Sequence, residues 1–449
     1  MTLESHSNVI VRRWGVINFL IIFVTSCLML ALPVPGHTGQ SLDLSTALQT
    51  ALTQNAVLAA SSARAAALGE VPTRAAALPD PTLHLNAMNL PVDGFSTSQE
   101  PMTQLQVGIG QRFPFPGKRG LKTVAAERAA DAALADHHET RRNVIAEVIA
   151  VWWHLFYLER ALEVVSNNQN LLRQFVSIAQ TKYSVGQGLQ QDVLLAQVEL
   201  SKLLDLTLEL EGERDDNAAH LNRLMGWPSE QLLTLPRQAE TLLPPVPAVP
   251  QLTALAQRQR GKLAAASRRV EMANARLSLA QKDHLPDVTV NAAYGLRSGH
   301  NLDGSERADF ASLMLSLNLP INQNNRQGRL VAQRQYELDA QRSTEQATQD
   351  WVLEEISSAH ARYNKARERV NLLKHGIIPQ AEQTVASMQA GYQVNKVDFL
   401  NLVRAQITFY NYKTRYWQIL ASAKGTLAQL EAAVGGPLPG NPESKEDVQ

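Results

Sequence analysis

The sequence predicts a mixed fold in which long α-helical coiled-coil rods join an antiparallel transmembrane β-barrel shared between copies of the chain. Three observations predict it. Val144, Val148, Val151, Leu155, Leu158, Leu162 and Val165 step by 4, 3, 4, 3, 4, 3, and after Gln169 the beat resumes at Leu172, Val176, Ala179 and Tyr183. Such a seam marks a helix whose partner is another long helix. It returns at Val352, Ile356, Ala359, Tyr363, Ala366, Val370, Leu373 and Ile377, and past Pro379 at Ala381, Val385, Met388 and Tyr392. Finally, blocks recur in one order at nearly constant offset. Leu78–Ala87 answers Leu285–Ala293, Phe113–Gly120 answers Leu319–Arg329, and Tyr183–Gln197 is matched 209 residues later by Tyr392–Gln406. The chain is an internal tandem duplication, and a repeat on this scale outranks local readings.

With 449 residues the chain is long enough for two or three domains, but the repeat argues for one object made of two similar halves. Its formal net charge of zero implies no polyanion-binding surface. Cys27 is the only cysteine, so no intramolecular disulfide can form.

From the start, a polar segment ending in Arg12 and Arg13 precedes the apolar run Trp14–Leu32, which Pro33, Pro35 and Gly36 break. Residues 1–40 therefore read as a signal peptide and N-terminal segment, because no later apolar run could cross a bilayer as a helix. Val24-Thr25-Ser26-Cys27 also fits a lipid-attachment box; the apolar Leu28–Leu32 after it weighs against lipidation and for removal with the signal.

The first repeat spans 41–227. It opens with a helix from Leu44 to about Val71, stopped by Pro79 and Pro81. Thr82–Leu90 and Gln104–Gln111 alternate apolar and polar residues, the period of a strand. The Phe113–Gly120 block (FPFPGKRG) launches the long helix. That helix would measure about 95 Å at 1.5 Å per residue, turns at 186–191 and returns to Met225. A Pro-rich linker, 228–250, leads to the second repeat, 251–434, with a helix over about 251–283, two further alternating strands and the second rod. Residues 435–449 lack pattern and read as a disordered tail.

Four strands of this length cross a bilayer when tilted, with apolar faces outward and Gln, Asn, Ser, Thr and Gly inward. Four cannot close, because an open edge in lipid leaves backbone groups unpaired. The barrel must be shared by two or three copies, giving about eight to twelve strands, and three make the better lumen for conduction; the alternative is two soluble hairpins capping a helical bundle. The rods carry Glu127, Arg128, Glu147, Glu159, Arg160, Glu354 and Arg362, so they project into water.

These residues resemble a known family. Two halves of helix, strand, strand, long helix, turn and helix, with YSVGQG and DVLLAQ at the tip and FPFPGKRG at the strand-to-rod junction, look like the TolC-like outer-membrane efflux proteins, nearest the heavy-metal branch. The resemblance covers about 41–434. It implies a homotrimer with a twelve-stranded outer-membrane barrel and a helical barrel in the periplasm of a Gram-negative-type bacterium. An inner-membrane pump and its periplasmic adaptor open the far tip, and no cofactor or nucleic acid takes part. The tip turns at Val185, Gly186, Gly188, Val394, Asn395 and Lys396 would meet the adaptor. Family members narrow their aperture with two acidic residues three apart. This chain has Asn401 and Arg404 there, with Asp192 and Asp398 nearby. Either Arg404 repels cations or it pairs with Asp192 or Asp398 and latches the tip.

Other chemistry finds little support. Gly110…Gly117-Lys118 has six residues between its glycines where a phosphate loop has four, and Arg119 replaces the needed Ser or Thr. His137, His138 and Glu139 suggest a metal site, but adjacent helical residues point in different directions. His84 and Met88 on the inward strand face could touch a soft cation in transit. Trp152, Trp153, Tyr410, Tyr412, Tyr416 and Trp417 sit at rod positions that favour packing. No nucleophile–base set stands out, and an enzyme is not expected. The alternatives are a periplasmic adaptor, which should carry one hairpin and short soluble β domains, and an envelope scaffold, which leaves the strand pairs unexplained.

Overall fold

The computed structural model describes residues 41–394 and 396–438. The expected signal peptide, Cys27 and Asn395 lie outside the described residues, as does the tail beyond Leu438. The tail expected to be disordered from 435 is ordered as far as it is described: Leu438 is buried, and its N–H donates to Glu431 Oε1 at 3.0 Å. Two compact units are distinguished. In one, residues 41–42 meet 233–237, where Leu42 N donates to Thr234 O at 2.7 Å. The other comprises 43–232 and 238 onward and holds every element below.

The expected opening helix is three: α1 (Leu44–Gln54), α2 (Ala56–Gly69) and α3 (Val71–Ala76). The cause of the first break is Asn55, whose backbone is extended (φ −67°, ψ 120°). Its Oδ1 accepts from Leu58 N, capping α2, while its Nδ2 donates to Leu224 O at 2.9 Å. A short amide side chain offers the backbone this alternative to an unbroken helix. The expected helix over 251–283 breaks in the same way at Arg260 (φ −75°, ψ 120°), giving α6 (Val249–Gln259) and α7 (Gly261–Lys282). Arg260 is 1% exposed; its Nη1 donates to Ala433 O at 2.8 Å, and its guanidinium pairs with Glu139 and Glu355. Leu224 and Ala433 stand 209 residues apart, the offset of the tips, so each break ties itself to the end of its own half's return helix. Those helices end on Gly226 (φ +71°) and Gly435 (φ +91°), where a Cβ would lie 2.7 Å from Gln54 O and from Arg260 Cα.

The rods are α4 (Lys118–Ser184) with its return α5 (Gln190–Leu224), and α8 (Gln327–Leu372) continued by α9 (Ile378–Gln393) with its return α10 (Phe399–Val434). At 67 residues α4 is about 100 Å long and unbroken. Its seam is buried from Val144 to Ala179, with Leu162 and Val176 half-buried, and emerges at the exposed Tyr183. The second seam does not run evenly. A π-turn, Leu373–Ile377, separates α8 from α9, and Ile378 N donates to Leu373 O. Pro379 removes an amide donor and crowds the preceding turn, and the wider π geometry absorbs it at the cost of one residue of register. Helix α4 packs on α5 and on α10, and α10 packs on α8 and α9.

Strands β1 (Thr82–Met88), β2 (Gln104–Phe113), β3 (Val288–Leu296) and β4 (Phe310–Leu317) form one antiparallel sheet in the order β1-β2-β3-β4. The two expected hairpins are thus joined through β2 and β3, which pair from Leu105↔Leu296 to Phe113↔Val288.

Candidate functional site: a shared barrel wall, its junction and two helical tips

The sheet has two chemically distinct faces. Leu83, Ile109, Ala292 and Leu313 form one cross-strand row, and Leu85, Val107, Tyr294 and Ala311 the next. Among the described residues nothing covers these rows: Leu85 is 72% and Leu313 73% exposed. The other face carries His84, Asn86, Gln106, Asn291, Ser312 and Ser316, with glycines where side chains crowd. A Cβ at Gly110 would strike His84 and Asn291, and one at Gly295 would strike Gln104. Phe310 and Met314 depart from the polar pattern there, and Phe310 lies under the Arg297 guanidinium at 4.3 Å. Among the described residues each outer strand, β1 and β4, has one partner only. Among the described residues no helix is long and apolar enough to cross a membrane.

Where the sheet becomes rod, the structure reveals a site that sequence reading missed. The Lys118 ammonium, 6% exposed, lies 3.0 Å from Asp287 Oδ1, donates to Leu285 O at 2.8 Å and reaches Asp283 at 3.3 Å. Arg112 donates to Asp287 Oδ2 at 2.7 Å and Phe115 N to Oδ1 at 3.0 Å. Burial opposes ionisation of Asp287; the donors Phe115 N, Arg112 and Lys118, with the Lys118 charge, prevail and hold its carboxyl at about 2. Gly117, at φ +88°, turns the chain into α4, and a Cβ there would come within 3.2 Å of Lys282 Cε. The FPFPGKRG and LPDV blocks are therefore two halves of one clasp. The signal was present in the sequence: Lys118 and Asp287 each stand in a duplicated block.

The tip residues are placed as follows. Val185 caps α4, Gly186 adopts φ +72°, and Gly188 lies so close to Lys182 that a Cβ would come within 2.9 Å of Lys182 Cβ. Val394 ends α9, and Lys396 N donates to Gly391 O at 2.8 Å. Val185 and Val394 are both exposed. The two tips meet: Lys182 Nζ sits 4.1 Å over the Tyr392 ring and 3.3 Å from Tyr392 O. Tyr392 also packs on the buried Phe399, which meets Phe175. Burial first and the Asp192 charge second push the Tyr392 hydroxyl above its ordinary value, which sets Asp192 beside this junction. Asp398 stands at the N-cap of α10, and Asn401 and Arg404 are exposed on its first turns. Among the described residues no ion pair joins Arg404 to Asp192 or Asp398, so one chain alone does not make the latch.

His137, Glu139, Trp152 and Trp153 are structural. His137 meets Ser61 Oγ at 2.8 Å while Glu139 serves Arg260, and no group of three possible metal ligands occurs among the described residues. Trp152 and Trp153 are buried; Trp152 stacks on Phe156, which meets Trp417 edge-on.

An open sheet with an uncovered apolar face, carried on helical hairpins too polar for lipid, is one wall of a barrel completed by further copies. The family model described as Outer membrane efflux protein matches residues 47–227 and 252–436. The chain belongs to that family. Cobalt-zinc-cadmium resistance protein CzcC of Cupriavidus metallidurans is 23% identical over 331 residues, 71% of this chain and 74% of that one. Outer membrane protein TolC of Escherichia coli is 23% identical over 349 residues, 71% and 69% of the two chains. Among solved structures, VceC from Vibrio cholerae superposes with a TM-score of 0.74 at 20% identity, covering 88% of this chain and 96% of that one. CusC does so at 0.74 and 14%, covering 91% and 98%. This outer membrane efflux protein is thus a channel subunit. Family members are homotrimers that work with periplasmic adaptors and inner-membrane pumps, and most of each chain lies in the periplasm. The adaptor and scaffold alternatives fall, and the family and its structural neighbours are channels rather than enzymes.

Proposed function

We propose that this efflux protein is the passive exit duct of a tripartite heavy-metal export system, catalysing no reaction itself. The observation that carries the duct is the four-stranded sheet with two open edges and a bare apolar face, which three copies complete as twelve strands. The metal cargo is supported by the likeness to a cobalt-zinc-cadmium resistance protein. The domain plan follows the duplication: first repeat 41–227, linker 228–250, second repeat 251–434. In the test, the protein should fractionate with the outer membrane as a heat-modifiable trimer, and its deletion should sensitise cells to cobalt, zinc or cadmium. A soluble periplasmic monomer would sink the duct, and unchanged metal tolerance would sink the cargo.

The adaptor docks on the tip turns in this reading. At Gly186 a Cβ would meet nothing within 4 Å, so a side chain there is opposed by the backbone alone, at φ +72°. A β-branched residue is strongly disfavoured in that region. Gly186→Val should therefore abolish efflux while trimer yield in the outer membrane stays normal. Full efflux from the variant would move docking away from this turn.

Exposed and, among the described residues, in no ion pair, Arg404 would place a cationic ring at the aperture where three copies converge. At about 8 Å a unit charge contributes roughly 2 kcal/mol at an effective dielectric of 20. Arg404→Ala should raise single-channel conductance in planar bilayers, and Asn401→Asp should introduce block by multivalent cations. Recordings without either change would show that these positions do not line the gate.

A further inference from the structure

Helices α6, α8 and α10 share a core with Leu243 and Val246 of the linker. Positions of α8 and α10 that do not enter this core wall a separate groove of about 750 Å³, with Ala150 and His154 of α4 on its far side. Arg362, Lys365 and Arg369 line it from α8, and Arg415 faces them from α10. No carboxylate is among the lining residues, and the floor is Ala366, Ile419 and Gly425. Arg362, Lys365 and Arg369 fall at i, i+3 and i+7, so they share one helix face. Among the described residues Arg362, Arg369 and Arg415 make no ion pair, and Lys365 is tied only to the exposed Glu368 at 2.7 Å. At the rim, His154 holds Glu213 at 2.9 Å.

The groove also lies on a track. Asn401, Arg404, Thr408, Asn411, Arg415 and Gln418 recur along α10 at spacings of 3 and 4, all exposed and none acidic. The track joins the groove to the aperture positions. A cleft of one sign with low-dielectric walls focuses its field and concentrates counter-ions. Guanidinium forks match carboxylates two bonds at a time. Such a surface disfavours a bare dication.

We propose that this groove is a transit site for polycarboxylate anions, so that a metal passes as an anionic chelate rather than as a free cation. The proposal rests on the duct reading above, and the experiment separates the two. Wild-type trimers in planar bilayers are exposed to citrate, to zinc citrate and to zinc chloride. Concentration-dependent block by zinc citrate is expected, with anions the more permeant species in a salt gradient. Block by citrate alone as well extends the cargo to free organic anions, whereas block by zinc citrate only confines it to the chelate. Arg362→Gln/Arg369→Gln/Arg415→Gln should weaken block by at least about tenfold, the effect of losing one charge-assisted bond. Arg415→Gln alone, at an exposed position, covers failure of the triple variant to assemble and should weaken block by about tenfold. Equal or stronger block by zinc chloride overturns the proposal, as does block that survives Arg415→Gln undiminished. Absence of any channel from the wild-type trimer instead overturns the duct.

Discussion

Lys118→Met should cost about 3 kcal/mol, the low end for removing one partner of a buried ion pair, because the remaining charge keeps part of its compensation. Asp287, only 10% exposed, would retain Phe115 N and Arg112. Because the clasp fastens the start of α4 to the start of β3, the loss should appear as a lower melting temperature of the trimer band. Lys118→Met/Asp287→Leu should recover part of it, because the charges then left without a partner, Arg112 and Asp283, are exposed to water rather than buried. A single variant as stable as wild type would show that the clasp is ornamental. The same site predicts a pH response. The folded-state value of about 2 lies below the ordinary 3.8. The stabilisation is therefore present above about pH 4 and is lost as pH falls through about 2, amounting to about 2 kcal/mol. Asp287→Asn should flatten that part of the acid-denaturation curve.

The second large effect is expected at Leu315. It lies mid-strand on β4, paired with Val290 on the uncovered apolar face. An arginine near the bilayer midplane on the lipid side of a barrel costs about 2–4 kcal/mol per copy. Leu315→Arg should deplete the outer-membrane trimer, while Ser316→Arg, one residue on and facing inward, should be tolerated. Equal trimer yield from both variants would mean that the two faces are assigned the wrong way round.

How far the sequence could be read follows from the kind of signal each element carries. The heptad seam and the strand alternation are periodic, and periodicity survives without knowledge of tertiary contacts. So α4, β1 to β4 and the Gly186 turn were legible. The breaks at Asn55 and Arg260 were not, because each is set by a carbonyl about 170 residues away in sequence. The π-turn before Pro379 was half-visible: the proline signals a disturbance, but the apolar repeat runs straight through it. Lys118 stands in the duplicated FPFPGKRG block and in an imperfect phosphate-loop pattern, but neither points to its partner, Asp287, which lies across the duplication. At the tips the sequence located the residues, yet the Lys182–Tyr392 contact joining the two hairpins spans 210 residues and carries no periodic signature.

The matched breaks at Asn55 and Arg260 bear on ancestry. A half-length ancestor would have built its ring from six identical pieces, each anchoring its break in the same way. In the present chain the first anchor is a neutral amide, self-sufficient within its half. The second is a guanidinium that draws one carboxylate, Glu139, from the first half and another, Glu355, from its own. Lys118 and Asp287 likewise bind across the halves. The two halves have become complementary parts, and a return to sixfold assembly would leave the buried arginine without one of its acids and Lys118 without Asp287.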